Sequence, residues 1–291
     1  MEGCQALGLT EMPALATLFR GTAIDSQSRT ALRVLVDAVV GVSSDGRVIL
    51  VEGGHSESLS PESTLVLRSF GAWPLADVRI VSLSPRSFLV PGFVDTHTHA
   101  PQFAFTGLGY DLQLLEWLKT YTFPSEAKFS DLEHAAKVCR NAVRRTLQNG
   151  TTSAIWFATI HTDAAVQLGR IAQNIGQRAF VGKVNMDRHA PPFYCETTEG
   201  SLRETERFVQ LMLAEGATSD AAACLECRGP KARPVITPRF VPTCSAELMG
   251  GLAQIARKHD LLIQSHISEN LGEVEWVHAL PQRLAASIAS H

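Results

Sequence analysis

The sequence predicts an α/β protein in which a small β-rich region, residues 1–87, precedes the repeated βα units of a TIM-type (β/α) barrel, residues 88–291. Three observations predict this fold class. Short runs of valine, leucine and isoleucine with turn residues between them occupy the first region. From Phe88 onward, apolar strand-like runs alternate with amphipathic helical patterns, as they do in parallel sheets. Polar residues follow several of these runs, and barrel enzymes carry their catalytic groups at the carboxyl ends of the strands.

A β-hairpin is the clearest element of the first region. Residues 32–42 and 47–51 are rich in valine, leucine and isoleucine, and they flank the turn Ser43-Ser44-Asp45-Gly46. Glycine takes a positive φ at no steric cost, so Gly46 suits the end of this turn. A further strand is predicted at residues 78–83.

Five βα units are predicted in the second region. Their strands are residues 88–94, 151–157, 178–186, 235–240 and 261–265, and their helices are residues 111–119, 130–150, 163–175, 201–214 and 245–259. The second helix opens on Ser130-Asp131-Leu132-Glu133, a capping box that places Ser130 at the N-cap. Ser245 is the predicted N-cap of the last helix.

Two histidines one residue apart follow the first strand of the predicted barrel. In a strand the side chains at i and i+2 point to the same face, so His97 and His99 can direct both imidazoles at one ion. A catalytic zinc site needs about three protein ligands and an open position, so further ligands must come from elsewhere in the chain. Without such ligands, the pair would be ordinary polar residues of a turn.

Further polar residues close the later strands. Arg239 ends the fourth predicted strand and His266 ends the fifth. Because the carboxyl ends of barrel strands meet at one mouth, these residues are expected to converge with His97 and His99.

The composition fits a soluble globular protein without a polyanionic partner. The 291 residues include 45% hydrophobic and 19% charged residues, and the formal net charge is -3. This balance gives no support for nucleic-acid or anionic-membrane binding. The N-terminus lacks the pattern of a signal peptide and no apolar run is long enough to span a membrane, so a cytoplasmic location is expected.

The six cysteines are expected to be reduced thiols. Cys224 and Cys227 form a C-x-x-C pair, which supplies zinc ligands in cytidine-type deaminases. That class also requires an H-x-E motif and a proline before the first cysteine. The sequence has Ala223 at the proline position, so the pair is interpreted as free thiols.

Several longer blocks resemble the metal-dependent amidohydrolases and, within them, the guanine deaminases. The blocks are PGFVDTHTH (91–99), LLEWLKTYTFP (114–124), FATIHTD (157–163), GQRAFVGKVNMD (176–187), TPRF (237–240) and QSHISEN (264–270). The resemblance extends over about residues 85–277 and is weaker before them. It implies the hydrolytic deamination of guanine to xanthine and ammonia by a zinc enzyme with one ion per subunit.

The resemblance also implies roles for individual residues. His97, His99 and His266 match the zinc ligands, and Glu269 matches a catalytic proton shuttle. The implied substrate-binding residues are His99, Gln102, Arg239, Phe240, His266 and Glu269. Residues 1–87 resemble part of a β-sandwich. The family is cytosolic and generally forms homodimers.

Three of these residues have alternative interpretations. Glu269 would instead cap a helix that starts near Glu273, Arg239 would be a structural cation at the barrel rim, and Gln102 would bond only the loop backbone. His161 and Asp163 lie in a matching block without an assigned partner, and they are interpreted as structural.

The chain departs from the family pattern after about Val277. The family histidine after the sixth strand and the family aspartate after the eighth strand have no counterpart, and His278 matches no family ligand. The sequence therefore predicts an incomplete barrel of about five βα units. The alternatives to guanine deamination are a catalytically inactive fragment and an amidohydrolase that acts on another purine or pyrimidine.

Overall fold

The computed structural model of the chain describes residues 15–44, 46–53, 78–218 and 231–280. The chain divides at Pro91 into two compact units. Cys4, the turn residue Asp45 and the pair Cys224 and Cys227 lie outside the described residues.

The first unit contains one sheet of five strands. They are β1 (Leu15–Ser28), β2 (Ala31–Ser43), β3 (Val48–Glu52), β4 (Arg79–Ser82) and β5 (Phe88–Leu89). The strand order is β3-β2-β1-β4, and β5 also pairs with β1. The β1–β2 and β2–β3 pairs are antiparallel, whereas β4 and β5 run parallel to β1.

The predicted hairpin corresponds to β2 and β3. Gly46 has a φ of +85° in the connecting turn, as its position in the sequence predicts. Leu18, Val39 and Leu50 form part of the buried cluster of this unit. The sequence pattern does not indicate the long strand β1, and the β-sandwich interpretation stays a prediction.

One predicted boundary is wrong. The sequence assigns residues 88–94 to the first barrel strand, but Phe88 and Leu89 pair with β1 in the first unit. The strand of the second unit, β6 (Phe93–His99), begins only after Pro91 and Gly92. Proline has no N–H for a sheet ladder, and a Cβ at Gly92 would lie 2.0 Å from Thr152 Oγ1. The strand therefore starts later and includes both histidines.

The second unit is built on a parallel sheet. Its strands are β6, β7 (Thr151–Phe157), β8 (Arg178–Gly182), β9 (Val184–Asn185), β10 (Ala232–Pro234) and β11 (Thr237–Pro238). The sheet order is β10-β8-β7-β6, and β11 pairs with β9. All of these pairs are parallel. Sequential parallel strands joined by helices confirm the predicted α/β class.

The fourth and fifth predicted strands are less regular than the sequence predicts. Residues 235–240 contribute only β11 and two isolated bridges, and residues 261–265 form no continuous strand. Two isolated parallel bridges, Ile236 with Ile263 and Phe240 with His266, join the two segments. Pro234 and Pro238 lack N–H donors, which interrupts the ladder along this part of the sheet.

Seven α-helices occur in the described part of the second unit. They are α1 (Leu114–Trp117), α2 (Phe123–Ala127), α3 (Leu132–Gln148), α4 (Thr162–Ile175), α5 (Thr198–Thr218), α6 (Ala246–His259) and α7 (Leu271–Ala279). A π-helical turn, Leu118–Thr122, joins α1 to α2. The helices α3, α4, α5 and α6 contact one another in sequence. None of the described helices is both long and apolar enough to cross a membrane.

Helix capping agrees with the sequence at one helix and differs at another. Ser245 Oγ accepts a hydrogen bond from the Leu248 N–H (3.0 Å), so the predicted cap of α6 is confirmed. The N-cap of α3 is Asp131 rather than Ser130, and its Oδ1 accepts from the N–H groups of Glu133 (2.9 Å) and His134 (3.2 Å). A carboxylate also interacts favourably with the positive end of the helix dipole, which favours Asp131.

Gly182 is required where three strand segments converge. A Cβ at this position would lie 1.7 Å from Thr237 Oγ1 and 2.7 Å from Gln264 Nε2. Gly182→Ala is therefore expected to lower the free energy of unfolding by about 1–3 kcal/mol through overpacking. Urea unfolding measures this change. The control is Gly250→Ala in α6, where nothing lies within 4 Å of the added Cβ. Equal stability of the two variants would contradict the predicted close packing.

Candidate active site

Three histidines from two distant segments meet at the carboxyl end of the sheet. His97 and His99 lie at the end of β6, and His266 lies in the segment that bridges to Phe240. Their potential ligand atoms all lie within 4.8 Å of one another. The Nε2 atoms of His99 and His266 are 2.9 Å apart. The convergence expected from the strand-end positions is thus observed.

The surroundings keep two of these imidazoles neutral. Burial, and then the nearby charge of Arg239, hold the pKa of His99 well below its usual range. Burial lowers the pKa of His266 to about 4. A neutral imidazole has a lone pair on one nitrogen, which is the form that binds metal ions. Both side chains are therefore available as ligands at neutral pH.

Hydrogen bonds define which nitrogen of His266 is free. His266 Nδ1 lies 2.7 Å from the Arg239 carbonyl oxygen, and it must donate because a carbonyl only accepts. His266 Nε2 consequently carries the lone pair that faces His99. The buried Nδ1 of His99 has no hydrogen-bond partner. Phe157 stacks on the His99 ring at 4.5 Å between centroids and limits its orientation.

This donor set fits a zinc ion. Imidazole nitrogens suit zinc, and catalytic zinc sites use about three protein ligands with one open position. Hydrogen bonding from Nδ1 to a backbone carbonyl, as in His266, is the usual way in which a ligating histidine is oriented. His97, His99 and His266 would hold the ion.

A cavity of about 400 Å³ lies beside the histidine cluster. A volume of this order accommodates a small heterocyclic ligand. The cavity is lined by all three histidines and by the predicted residues Gln102, Arg239, Phe240 and Glu269. The seven residues selected from the sequence therefore share one cavity. The Gln102 side chain forms no hydrogen bond with the described residues, so the proposed bond to the loop backbone is not observed.

Glu269 lies at the cavity and does not cap α7. Asn270 is the N-cap, and its Oδ1 accepts from the Glu273 N–H at 2.8 Å. The Glu273 carboxylate in turn accepts from the Glu269 N–H at 2.6 Å. Ser268, with a φ of +54°, turns the chain between His266 and Glu269. The capping interpretation of Glu269 is therefore wrong.

The acidity of Glu269 is altered by its surroundings. Partial desolvation, followed by the charge of Glu273, raises the pKa of the Glu269 carboxyl. Its side chain forms no hydrogen bond with the described residues and remains accessible from the cavity. A carboxyl with a raised pKa is better matched to proton transfer near neutral pH.

Arg239 has a partner that the sequence does not predict. Its terminal nitrogens donate to both carboxylate oxygens of Glu126, at 2.6 and 3.1 Å. The guanidinium also lies over the Phe123 ring, 5.0 Å from its centroid. Burial opposes the charge on Arg239, but Glu126 outweighs this effect and the pKa of Arg239 is raised. Glu126 thus occupies part of the donor fork of Arg239, a residue that the resemblance implies in substrate binding.

The remaining candidate residues lie outside the cluster. His161 hydrogen-bonds with Thr159 Oγ1 at 3.1 Å, and Asp163 accepts from Arg207 at 2.6 Å, which agrees with their structural interpretation. Asp95 Oδ1 accepts from the His97 N–H at 3.1 Å and orients this part of the chain. Within the described residues, no further histidine, cysteine or acidic side chain joins the three histidines as a potential ligand.

Curated guanine deaminases are similar to the chain over most of its length. The Mus musculus guanine deaminase is 46% identical over 270 residues, which cover 92% of the chain and 55% of that protein. The Escherichia coli guanine deaminase is 37% identical over 193 residues, covering 66% of the chain and 40% of that protein. The chain thus spans about half the length of the curated relatives that it matches.

A solved guanine deaminase structure and a family sequence model are also similar to the chain. The guanine deaminase from C. acetobutylicum, solved with guanine in its active site, superposes with a TM-score of 0.74 at 33% identity. The superposition covers 90% of the chain and 56% of that structure. The sequence model of the amidohydrolase family matches residues 88–283, which include every predicted site residue. The chain belongs to the amidohydrolase family.

Proposed function

We propose that the cavity binds one zinc ion through His97, His99 and His266, and that the protein hydrolyses guanine to xanthine and ammonia. The observation that carries this proposal is the meeting of three imidazoles with Arg239 and Glu269 in one cavity. The 46% identity to a guanine deaminase supports the choice of substrate. The parallel strands are interpreted as part of a TIM-type barrel, and a homodimer remains a prediction from the family.

The zinc ion would supply the nucleophile. Zinc lowers the pKa of a water from about 15.7 to about 7, which provides hydroxide for hydrolysis at neutral pH. The C2–O bond of the product forms and the C2–N bond to the amino group breaks. Both protons leave the oxygen of the water, one to ring nitrogen N3 and the other to the departing ammonia.

We assign the transfer of these protons to Glu269. It is an accessible carboxyl at the cavity, and its raised pKa favours both accepting and returning a proton near neutral pH. Arg239 and Phe240, which line the same cavity, would hold the purine, because a guanidinium donates to carbonyl acceptors and an aromatic ring stacks on a planar base.

Ammonia release from guanine tests the proposed reaction. The assay compares the 291-residue chain with a fusion protein in which the C-terminal part of the mouse relative follows it. We expect xanthine and ammonia from the zinc-loaded fusion protein and loss of both in its His97→Ala variant. A folded, zinc-loaded fusion protein that leaves guanine unchanged would contradict the proposal. The chain alone tests the alternative of an inactive fragment.

Glu269→Gln is expected to separate catalysis from metal binding. The amide cannot carry a proton, so kcat should fall by about 10²- to 10⁴-fold in the active fusion protein. Zinc content should remain unchanged, since Glu269 is not one of the three ligands. The control is Glu275→Gln on the exposed side of α7, which should turn over guanine normally. A Glu269→Gln protein with normal kcat would exclude Glu269 as the proton shuttle.

A further inference from the structure

Glu126 is a buried carboxylate that lies behind the wall of the cavity. It has no solvent-accessible surface and does not line the cavity itself. Its oxygens accept two hydrogen bonds from Arg239, and Oε2 accepts a third from the Tyr194 hydroxyl at 2.7 Å. Arg239 does line the cavity. Any effect of Glu126 on a ligand must therefore act through Arg239.

Tyr194 completes the support of this carboxylate. Burial, and then the charge of Glu126, raise the pKa of Tyr194 well above its usual range, so the hydroxyl remains a donor. The backbone N–H of Ile160 donates to the same hydroxyl at 3.3 Å, which fixes the position of the oxygen. The carboxylate is thus held by Arg239 on the cavity side and by Tyr194, which does not line the cavity, on the other.

The ion pair with Glu126 uses only some of the N–H groups of the Arg239 side chain. A guanidinium has five N–H groups, and Glu126 takes one from each terminal nitrogen. The other three N–H groups donate to no described residue. Because Arg239 is only 2% exposed, these donors lack bulk water and favour a ligand that offers an acceptor. A purine carbonyl such as O6 of guanine has this chemistry.

The same residue also orients a proposed metal ligand. The Arg239 carbonyl oxygen accepts from the His266 N–H at 3.0 Å and from His266 Nδ1 at 2.7 Å.

Buried ion pairs often contribute little net stability compared with apolar residues. A geometric role therefore accounts for Glu126 better than a stabilising role does.

We infer that Glu126 is a positioning residue, which holds the Arg239 guanidinium so that its free donors select a purine with a carbonyl at position 6. This inference rests on the proposed function for the identity of the ligand, and it extends that function to a residue outside the cavity.

Binding of two purines to the metal-free chain tests the inference without turnover. Guanine carries O6, whereas 2-aminopurine lacks it and retains the 2-amino group. Quenching of tryptophan fluorescence reports binding, because Trp117 lines the cavity. In Glu126→Gln, we expect the Kd for guanine to rise about tenfold or more and the Kd for 2-aminopurine to change by less than about twofold.

A matched control separates this effect from general destabilisation. The Lys183–Glu196 ion pair is also largely buried, with an Nζ–Oε1 distance of 2.8 Å and a Glu196 side chain that is 13% exposed, and neither residue lines the cavity. Glu196→Gln is expected to lower the melting temperature without changing the ratio of the two Kd values. Tyr194→Phe, which removes one bond to Glu126, should change the ratio in the same direction as Glu126→Gln but by less.

The outcomes distinguish the inference from the proposed function. If the unsubstituted chain prefers guanine and Glu126→Gln keeps the same ratio of Kd values, the inference is wrong and the proposed function stands. An equal loss of affinity for both purines in Glu126→Gln, as general destabilisation would give, also overturns the inference. If the unsubstituted chain binds neither purine, the inference is overturned, whereas the proposed function is decided separately by ammonia release from the zinc-loaded fusion protein.

Discussion

His266→Ala is expected to abolish the retention of zinc by the protein. The substitution removes one of the three imidazoles whose ligand atoms lie within 4.8 Å of one another, and two ligands do not make a stable catalytic zinc site. His97→Ala and His99→Ala should have the same effect. Metal content after desalting, measured by elemental analysis, is the readout, and wild-type protein should retain about one zinc per chain.

The matched control is His278→Ala. His278 is an exposed histidine on α7 and does not belong to the cluster, so its removal should leave the zinc content unchanged. Near-stoichiometric zinc in His97→Ala, His99→Ala and His266→Ala would show that the ion is held elsewhere. Loss of zinc in His278→Ala alone would show that His278, which lies outside the cluster, is a zinc ligand.

Arg239→Lys is expected to impair both stability and substrate binding although it preserves the charge. Lysine has no donor fork, so the paired bonds to Glu126 and the contact with Phe123 cannot both be kept. The loss of a charge-assisted bond should lower the free energy of unfolding by about 1.5–3 kcal/mol. The kcat/KM for guanine should fall in parallel in the active fusion protein.

Arg207→Lys provides the comparison for this substitution. Arg207 pairs with Asp163 and Glu204 at the surface, where its side chain is 46% exposed. Surface ion pairs contribute about 0–1 kcal/mol, so this variant should unfold at nearly the wild-type urea concentration. Equal midpoints for the two variants would contradict the predicted loss of stability, and an unchanged kcat/KM in Arg239→Lys would leave Arg239 with a merely structural role.

The histidine cluster could be predicted because its geometry follows from local rules. The spacing of His97 and His99 places both rings on one face of a strand, and the strand-end position of His266 brings it to the same edge of the sheet. These rules need no knowledge of side-chain partners. The resemblance to a family then supplied the roles of the residues.

The partner of Arg239 could not be predicted in this way. Glu126 lies 113 positions earlier in the chain, on a short helix that follows a π-helical turn. Sequence periodicity indicates which face of a helix is buried, but it does not indicate which cationic side chain pairs with a buried carboxylate. Glu126 also falls just after the matching block that ends at Pro124, so the resemblance did not select it.

The errors in the fold have similarly local causes. Asp131 and Ser130 are both good N-cap residues, and the sequence motif alone favoured the serine. The fifth strand has a suitable apolar pattern, but its regularity depends on the neighbouring segment, where Pro234 and Pro238 interrupt the ladder. An apolar strand pattern therefore predicts where a strand lies and in which direction it runs more reliably than it predicts continuous pairing with the neighbouring strand.

Anomalous diffraction at the zinc absorption edge tests the central claim most directly. Crystals of the chain grown with one equivalent of zinc should show a single strong peak among His97, His99 and His266. Each of the three ligand nitrogens should lie about 2.0–2.1 Å from this peak, with one coordination position open toward the cavity. A zinc peak elsewhere in the chain, or ordered histidines without a peak between them, would contradict the proposed metal site.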